Sequence, residues 1–455
     1  MQHTPASPRV LPLVAVDLLL MIGAYLAAAY YALGPATEIY LFEANGLNSI
    51  VAAACLLLAF VCLQGFYSPR HRRLGVDVLL RLSTATGMAF ILEAVMFYLY
   101  HDLALSVTVM SLGTVLAFLC LLASRLIYHG LSSGGLGPER ILLIGATPLN
   151  RVIASRIQAA PSYGFDVVGY LDDDLEPGTE IEGGKVLGPV DALAEVSARL
   201  LPNRTIADLA AVEHSQSLLI TGATLPSVLE PPDRLYELLL RRVWSQRLKP
   251  GTLLFGSDLS PTRSKMVLQA FYTDTLALVM LLVLSPLMVL IAILIKLTSR
   301  GPVCEAQSEM GWRSTPFVRW RFRCHQVGRA SDESAEPVLT GLGRWLQRLS
   351  LAGLPQLVNI LRGEMAFVGP PPIRIEFANA LIRALPYHRL RFAVRPGLTG
   401  WSQINTSPDD DETAKLEYDL YYTKYMSLSL DLSIVLWTSP LRRPRKERVE
   451  SHAAA

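Results

Sequence analysis

Long apolar runs occupy the first third of the chain, with polar segments between them. Four runs, at approximately 11–33, 47–66, 79–100 and 104–128, are each close to the ~20 residues that an α-helix needs to cross a bilayer. We predict a transmembrane helix for each run. The first run is too long for a signal peptide and lacks a small-residue cleavage site, so we expect it to remain in the mature protein.

The charges between the runs predict how the helices are oriented. A basic segment at 70–73 follows the second run, whereas the loop after the first run carries Glu38 and Glu43 and no Lys or Arg. Because basic loops stay on the cytoplasmic side, both ends of the bundle should face the cytoplasm. Asp17 and Glu93 fall inside predicted spans, where each is either a functional carboxylate or a side chain that reaches the membrane interface.

Strand and helix patterns alternate beyond a small-residue linker at 132–138. Residues 140–146 have the pattern of a buried parallel strand, 149–160 that of a helix and 166–172 that of the next strand. We predict an α/β domain over 139–265. A Gly-rich turn that binds a dinucleotide needs several glycines, but here only Gly145 is in place and Pro148 removes an amide donor. We therefore expect a structural or assembly role, with nucleotide binding as the alternative.

A fifth apolar run contains a proline at its midpoint. Ser285 and Pro286 interrupt the run, and Arg-rich sequence follows it. A kinked spanning helix is one interpretation. Crossing the bilayer would, however, place the Arg-rich sequence outside the cell, against the orientation of the first four helices. We predict instead a re-entrant helix over 275–298 that enters and leaves the membrane on the cytoplasmic face.

Composition agrees with a membrane protein that also carries globular parts. The 455 residues are 51% hydrophobic and 18% charged, which is too apolar for an ordinary soluble protein and too long for one domain. The net charge of +2 does not predict a nucleic-acid partner, and we expect none. No metal-ligand spacing links the five cysteines, so we expect reduced thiols.

Residues 350–405 carry the most specific signal. They include SLAGLPQLVNILRGEMAFVGPPP and VRPGLTGWSQIN, a frame that resembles the C-terminal domain of the bacterial sugar transferases, the polyprenyl-phosphate sugar-1-phosphate transferases. The phrases at 145–148 and 169–173 resemble the Rossmann-like middle domain of the large members. Further matching positions are Gly343 to Leu346, Leu354 to Leu357, Asn359, Arg395 to Trp401, Gln403, Asn405, Tyr418 to Tyr422 and Ser429 to Leu432.

The resemblance implies a composite fold and a location. It implies a transmembrane bundle of α-helices over 1–130, a Rossmann-like α/β domain over 139–265, and a mainly α sugar-transferase domain over 270–455 that holds the re-entrant helix. It also implies the bacterial inner (cytoplasmic) membrane, with cytoplasmic soluble domains. Family members transfer a sugar phosphate from a UDP-sugar to undecaprenyl phosphate with Mg²⁺, through a covalent intermediate on an Asp that a neighbouring Glu assists.

The reactive residues of that frame are missing here. The family phrase S-L-D-E-L-P-Q-L places its two carboxylates where this chain has Ala352 and Gly353, whose side chains cannot accept a phosphoryl group. The family's Q-x-R-x-G has Glu309 at the arginine, and its G-P-R-P has Pro371 there. The sequence therefore predicts no intact catalytic residue. The residues left as candidates are Arg321, Arg323 and Arg395 for phosphate and Glu364 for a metal.

Two functional hypotheses follow from this pattern. The first is a non-catalytic partner or regulator of exopolysaccharide, capsule or O-antigen assembly that forms a homo- or hetero-oligomer with polysaccharide-assembly proteins at the lipid. The second is an active transferase that uses a UDP-sugar, undecaprenyl phosphate and Mg²⁺, with a nucleophile relocated to Glu364 or to the acidic run 409–412. A nucleotide-sugar dehydrogenase is a weaker third class because the glycine fingerprint is poor. The basic segment 442–446 should lie near anionic headgroups or in solvent.

Overall fold

Two compact units make up the chain, residues 1–137 and 138–455, in the computed structural model. It describes residues 10–43, 45–64, 66, 76–99, 105–135, 138–160, 164–208, 228–248, 259, 261–326, 339–407 and 410–438. Apolar helices come first, an α/β sheet follows and a helical part ends the chain. The composite fold predicted from the sequence is therefore confirmed.

Helices alone form the described part of the first unit. Its helices are α1 (Val10–Leu33), α2 (Thr37–Phe42), α3 (Gly46–Leu63), α4 (Val76–Leu99) and α5 (Val107–Gly135). α1 packs on α3 and α5, and α4 packs on the same two helices. Alanines and larger apolar side chains such as Met21 and Leu57 fill the centre of the bundle.

The apolar runs become helices close to the predicted bounds. Among the described helices, α1, α4 and α5 contain stretches long and apolar enough to cross a membrane, whereas the apolar part of α3 is shorter, at 46–62. α5 continues to Gly135, so the prediction that a linker begins at 132 is wrong. Serine lowers helix propensity only modestly, and the helix ends instead at the glycine pair.

Both carboxylates of the predicted spans are buried between helices. Asp17 forms an ion pair with Arg125, and Glu93 accepts a 2.8 Å hydrogen bond from Tyr25 Oη, which also lies 3.1 Å from Thr114 Oγ1. Asp17 is 0% and Glu93 7% exposed. A buried polar group costs free energy unless it is paired, so these contacts fix α1 against α4 and α5.

A six-stranded sheet opens the second unit. Its strands, in the order β3-β4-β2-β1-β5-β6, are β1 (Glu139–Ile144), β2 (Phe165–Leu171), β3 (Glu180–Ile181), β4 (Gly184–Gly188), β5 (Arg204–Ala207) and β6 (Val228–Glu230). All neighbours are parallel except β3 and β4. The helices α6 (Pro148–Ala159), α7 (Leu193–Leu200) and α8 (Pro232–Leu240) connect or follow the strands. The predicted strand, helix and second strand are confirmed.

One helix, α9 (Arg263–Thr298), contains the whole fifth apolar run. It begins before the predicted position 275 because its first turns pack on the C-terminal part through Met266 and Gln269. The helix is continuous through Pro286, and the re-entrant membrane course predicted from Ser285 and Pro286 stays a prediction. Proline removes the amide that would bond Leu282 O, and the Ser285 hydroxyl donates to that carbonyl instead, at 2.9 Å.

The C-terminal part packs short elements against α9, whose apolar side chains are mostly exposed. Two small sheets, β10-β7-β8 and β11-β9, comprise β7 (Cys304–Met310), β8 (Pro316–Phe322), β9 (Ala366–Val368), β10 (Ile373–Arg374) and β11 (Gly397–Thr399). The helices are α10 (Gly341–Arg348), α11 (Gln356–Leu361), α12 (Ile375–Ala384), α13 (Trp401–Asn405), α14 (Glu412–Tyr425) and α15 (Leu428–Thr438). Apolar clusters on α9 pack against β8, α10, α11 and α15.

Buried polar contacts join the α/β part to the C-terminal part. Glu237 on α8 is 3% exposed and accepts hydrogen bonds from Lys424 Nζ at 2.9 Å and Tyr425 Oη at 2.6 Å. Trp401 Nε1 donates to the carbonyl oxygen of Arg241 at 3.0 Å. We call this set of contacts the interdomain latch. It places the end of α8 directly against α13 and α14.

Candidate active site

Ala352 lies inside an apolar cluster. The 3₁₀ turn Leu351–Gly353 holds it after Ser350, whose φ of 57° reverses the chain. Its side chain is 3% exposed and belongs to a cluster with Ile291 and Ile295 of α9 and with Phe322 and Leu346. The first position of the implied carboxylate pair is therefore a methyl group facing the apolar helix, with no oxygen to attack or to bind a cation.

Gly353 follows in a half-buried position. A Cβ atom added there would lie 3.0 Å from Gln356 Nε2, and its φ lies outside the left-handed region. The backbone therefore accepts a side chain, provided that Gln356 moves. Nothing in this turn supplies the second carboxylate that the resemblance implies.

The Glu364 carboxylate is hydrogen-bonded to Asn359. Asn359 Nδ2 donates to Glu364 Oε2 at 2.6 Å and to the carbonyl oxygen of Val318 at 2.7 Å, and Asn359 Oδ1 accepts from the amide of Trp320 at 3.2 Å. In the described part of the chain, no three His, Cys, Asp or Glu side chains lie together as metal ligands. Mg²⁺ is commonly held by one or two carboxylates together with waters and substrate phosphates, so Mg²⁺ binding at Glu364 stays a prediction.

Glu309 is neutralised by arginines around it. It is 2% exposed, and its Oε1 lies 2.8 Å from Nη2 of Arg319 on the next strand. Burial raises the pKa of Glu309, while Arg319, Arg321 and Arg374 lower it. The sequence predicts a carboxylate that repels phosphate at this position. The structure shows one already committed to a buried ion pair.

The three candidate phosphate arginines have different surroundings. Arg321 is exposed, whereas Arg323 is 3% exposed and donates from Nη1 to Arg300 O at 3.0 Å and from Nη2 to Ser299 O at 3.2 Å. Arg323 therefore satisfies carbonyl groups at the end of α9. Arg395, for which a structural salt bridge is the alternative to phosphate binding, places Nη1 3.2 Å from Asp274 on α9, a partner that the sequence does not identify. Phosphate binding by these three residues stays a prediction.

Pro371 leads to a polar network that sequence reasoning missed. Its carbonyl oxygen accepts a 2.9 Å hydrogen bond from Arg391, whose guanidinium also forms a 2.8 Å ion pair with Asp419. Burial raises the pKa of Asp419, although Arg391 and the Ser402 hydroxyl lower it. Asp419 belongs to a matched motif, but no spacing in the sequence links it to Arg391. Arg391 therefore binds the backbone at Pro371, the position where the family phrase has an arginine.

Carboxylates occupy the start of α6 in the α/β part. The amide of Ala146 donates to Asp172 Oδ2 at 2.6 Å, and Thr147 Oγ1 donates to Asp208 Oδ2 at 2.9 Å. Pro148 is the first helical residue and brings no amide hydrogen. A pyrophosphate needs free amides at a helix N-terminus. Two carboxylates at this turn oppose such a ligand, which favours the structural role expected from the sequence.

The described residues of the acidic run make local contacts. Asp410 Oδ2 accepts from the amide of Ser407 at 2.6 Å, and Glu412 forms a 2.9 Å ion pair with Lys415. Residue 409 and the basic segment 442–446 lie outside the described residues. These contacts are those of a loop and of a helix start.

Comparisons with known proteins agree with this frame. A model of the family described as bacterial sugar transferase matches residues 264–442, and a model described as CoA-binding domain matches residues 63–199. The exopolysaccharide production protein PSS of Rhizobium leguminosarum bv. phaseoli is 34% identical over 187 residues, which cover 38% of this chain and 94% of that protein. The chain belongs to the bacterial sugar transferase family.

Longer members of the bacterial sugar transferase family are similar over more of the chain. A UDP-glucose:undecaprenyl-phosphate glucose-1-phosphate transferase of Xanthomonas campestris pv. campestris is 27% identical over 423 residues, 86% of each protein. A protein of the same name from Escherichia coli (strain K12) is 28% identical over 341 residues, 72% of each. With its apolar helices, this family member is a membrane protein.

Proposed function

We propose that this member of the bacterial sugar transferase family is a non-catalytic partner or regulator in the assembly of an exopolysaccharide, capsule or O-antigen. The single observation that carries the proposal is the burial of Ala352 among apolar side chains of α9, β8 and α10. Transfer through a phosphosugar intermediate needs an accessible nucleophile beside phosphate donors. Here the matching position offers a methyl group, and Glu309 and Pro371 stand in place of two arginines.

The packing of α9 supports a one-sided membrane position. Ala277 lies before Pro286 and packs with Phe317 and Ile360, whereas Ile295 lies after it and packs with Phe322 and Leu346. Both halves of the helix therefore contact the C-terminal part of the second unit. A helix that crossed the bilayer fully would carry one set of these contacts through the lipid. We infer a re-entrant course, with the second unit on the cytoplasmic side of the inner membrane.

An active transferase is the competing function, and the names of the similar proteins favour it. Such an enzyme would take a UDP-sugar and undecaprenyl phosphate and would use Mg²⁺. The described acid available to it is Glu364, which is half-buried and hydrogen-bonded to Asn359. Asp410 is exposed but bonds its own loop.

A transfer assay separates the two functions. The purified protein is incubated in lipid with undecaprenyl phosphate, Mg²⁺ and each of several labelled UDP-sugars, beside membranes that lack the protein. We expect no transfer above the control. Transfer that disappears in Glu364→Gln or Asp410→Asn would instead identify the acid that replaces the missing pair.

The partner is tested directly in cells. We propose a homo- or hetero-oligomer with polysaccharide-assembly proteins, because loss of chemistry leaves binding as the retained activity of an intact scaffold. Deleting the gene should impair polymer production. Both the natural chain and its Glu364→Gln variant should restore production. Restoration that depends on Glu364 would instead support catalysis.

A further inference from the structure

Tight packing fixes α10 beside the end of α9. Thr340 caps α10 by accepting a 2.8 Å hydrogen bond from the amide of Gly343, and Gly343 lies so close to the Cys324 carbonyl group that a Cβ atom could not fit. The inner face places Leu346, 3% exposed, against Ile291 and Ile295 of α9. The orientation of α10 relative to α9 is therefore determined by contacts on one face.

The outer face of α10 is apolar and uncovered. Trp345 is 62% exposed and Leu349, directly after the helix, is 59% exposed, and none of the described residues covers them. The final turn of α9 beside it exposes Leu297 by 77%. This end of α9 belongs to a helix long and apolar enough to enter a membrane. The two helices that carry these exposed side chains pack on each other through Ile295 and Leu346.

Basic side chains border this surface. Arg344 and Arg348 on α10 and Lys296 and Arg300 at the end of α9 are all exposed. No Asp or Glu occurs in residues 275–304 or 339–363. The surface thus combines a tryptophan, aliphatic side chains and positive charge, which together suit the boundary between acyl chains and anionic headgroups.

We propose that α10 is a second membrane-docking element, which inserts Trp345 and Leu349 at the bilayer interface and binds anionic phospholipid headgroups through Arg344, Arg348 and Lys296. The partner is the lipid surface itself. Long basic side chains can extend to headgroups while their methylenes lie along apolar groups. This inference goes beyond the proposed function, because docking of α10 is independent of whether any sugar is transferred.

Tryptophan quenching tests the insertion. The full chain is placed in nanodiscs that contain phosphatidylcholine brominated in its acyl chains, and the quenched fraction of the fluorescence is compared between Trp345→Phe and Trp244→Phe. Trp244 is the matched control because it packs edge-on against Tyr236 in the α/β part. We expect Trp345→Phe to lower the quenched fraction and Trp244→Phe to raise it. Equal changes in the two variants would overturn the proposal.

A second arm identifies the lipid. Each basic side chain at an anionic surface favours binding by about fivefold, so replacing two should weaken docking by roughly 25-fold. Phosphatidylglycerol should therefore increase Trp345 quenching in the natural chain but not in Arg344→Gln/Arg348→Gln, and high salt should remove the increase. An increase that requires undecaprenyl phosphate and ignores phosphatidylglycerol would mean a single-lipid site, and the surface proposal would be wrong.

Discussion

At the scale of single residues, the substituted positions are adapted to their surroundings. Ala352 completes an apolar cluster. Glu309, which stands where the family phrase has an arginine, is buried and pairs with Arg319. Both substitutions were visible in the sequence, but their partners were not. Arg319 lies ten positions away on the next strand, and only the antiparallel register of β7 and β8 brings the two together.

Restoring the first carboxylate alone should destabilise the protein. Ala352→Asp places a charge among the apolar side chains of α9 and β8, which we expect to lower the free energy of unfolding by about 3 kcal/mol at neutral pH. The loss should shrink as the pH falls, because the protonated acid is cheaper to bury. Thermal unfolding in detergent measures this, with Ala352→Asn as an uncharged control of similar size. Unchanged stability would mean that the turn is open to solvent, and the variant should still transfer no sugar.

Individual elements were predictable where the pattern was long. The apolar runs and the first strands of the sheet follow from periodicity and length alone. The continuity of α9 did not, because Pro286 predicts a break and the compensating hydroxyl of Ser285 is a local contact that periodicity does not show. The short strands β9 to β11 were equally hidden, since two or three residues carry no period.

The proline of α9 should control its membrane course. Pro286→Leu supplies an amide for Leu282 O in a helix that is already long enough to cross, so a spanning form should gain population. Cysteine labelling from outside intact cells, at positions before 263 and after 300, reads the course. The natural chain should label at neither position and Pro286→Leu should label at the later one. Ser285→Ala is the control that removes the hydroxyl but keeps the proline.

Two buried groups should give the C-terminal part opposing pH dependences. Burial, and then Arg391, lowers the pKa of His388 to about 3, so stability is lost as the pH falls below the ordinary value of 6.5. Burial raises the pKa of Asp431 to about 6 against three donors, so the folded form binds its proton first and stability rises as the pH falls from about 6 toward 4. The two contributions partly cancel in the natural chain.

Single replacements should separate these contributions. Between pH 7 and pH 5, His388 should lower the free energy of unfolding by about 2 kcal/mol and Asp431 should raise it by about 1 kcal/mol. These figures use 1.36 kcal/mol per pKa unit. His388→Gln should therefore become more stable on acidification, whereas Asp431→Asn should lose stability more steeply than the natural chain. Chemical unfolding at several pH values measures both slopes. Identical slopes in all three proteins would contradict the assigned burial.

At the scale of the whole molecule, the sequence predicted the order of the parts but not their contacts. The contact between Glu237 and Lys424 in the interdomain latch joins residues 187 positions apart. The sequence around each residue does not predict this pairing. Residues 139–265 and 270–455, for which the sequence predicts separate domains, both lie in the second compact unit, and their division into two domains stays a prediction. Contacts between residues far apart in the chain determine how the parts pack, and local sequence patterns do not show these contacts.

The latch should contribute measurable coupling. Among the described residues, Lys424→Met leaves the buried Glu237 carboxylate with Tyr425 as its side-chain donor, and we expect a loss of about 2 kcal/mol because an unpaired buried charge is costly. Adding Glu237→Gln should recover part of the loss, giving a coupling of about 1 to 2 kcal/mol in a double-mutant cycle. The cycle is measured by chemical unfolding. Additive effects of the two changes would show that the ion pair does not hold the parts together.

The buried position of Glu237 has a consequence for biosynthesis. A ribosome makes α8 well before α14, at about 5–20 residues per second, so the α/β part waits many seconds for the lysine and tyrosine that satisfy its carboxylate. During that interval α9 emerges and can reach the lipid first. Membrane insertion of α9 would then precede closure of the second unit, and chains truncated before α14 would expose the end of α8 to chaperones and proteases.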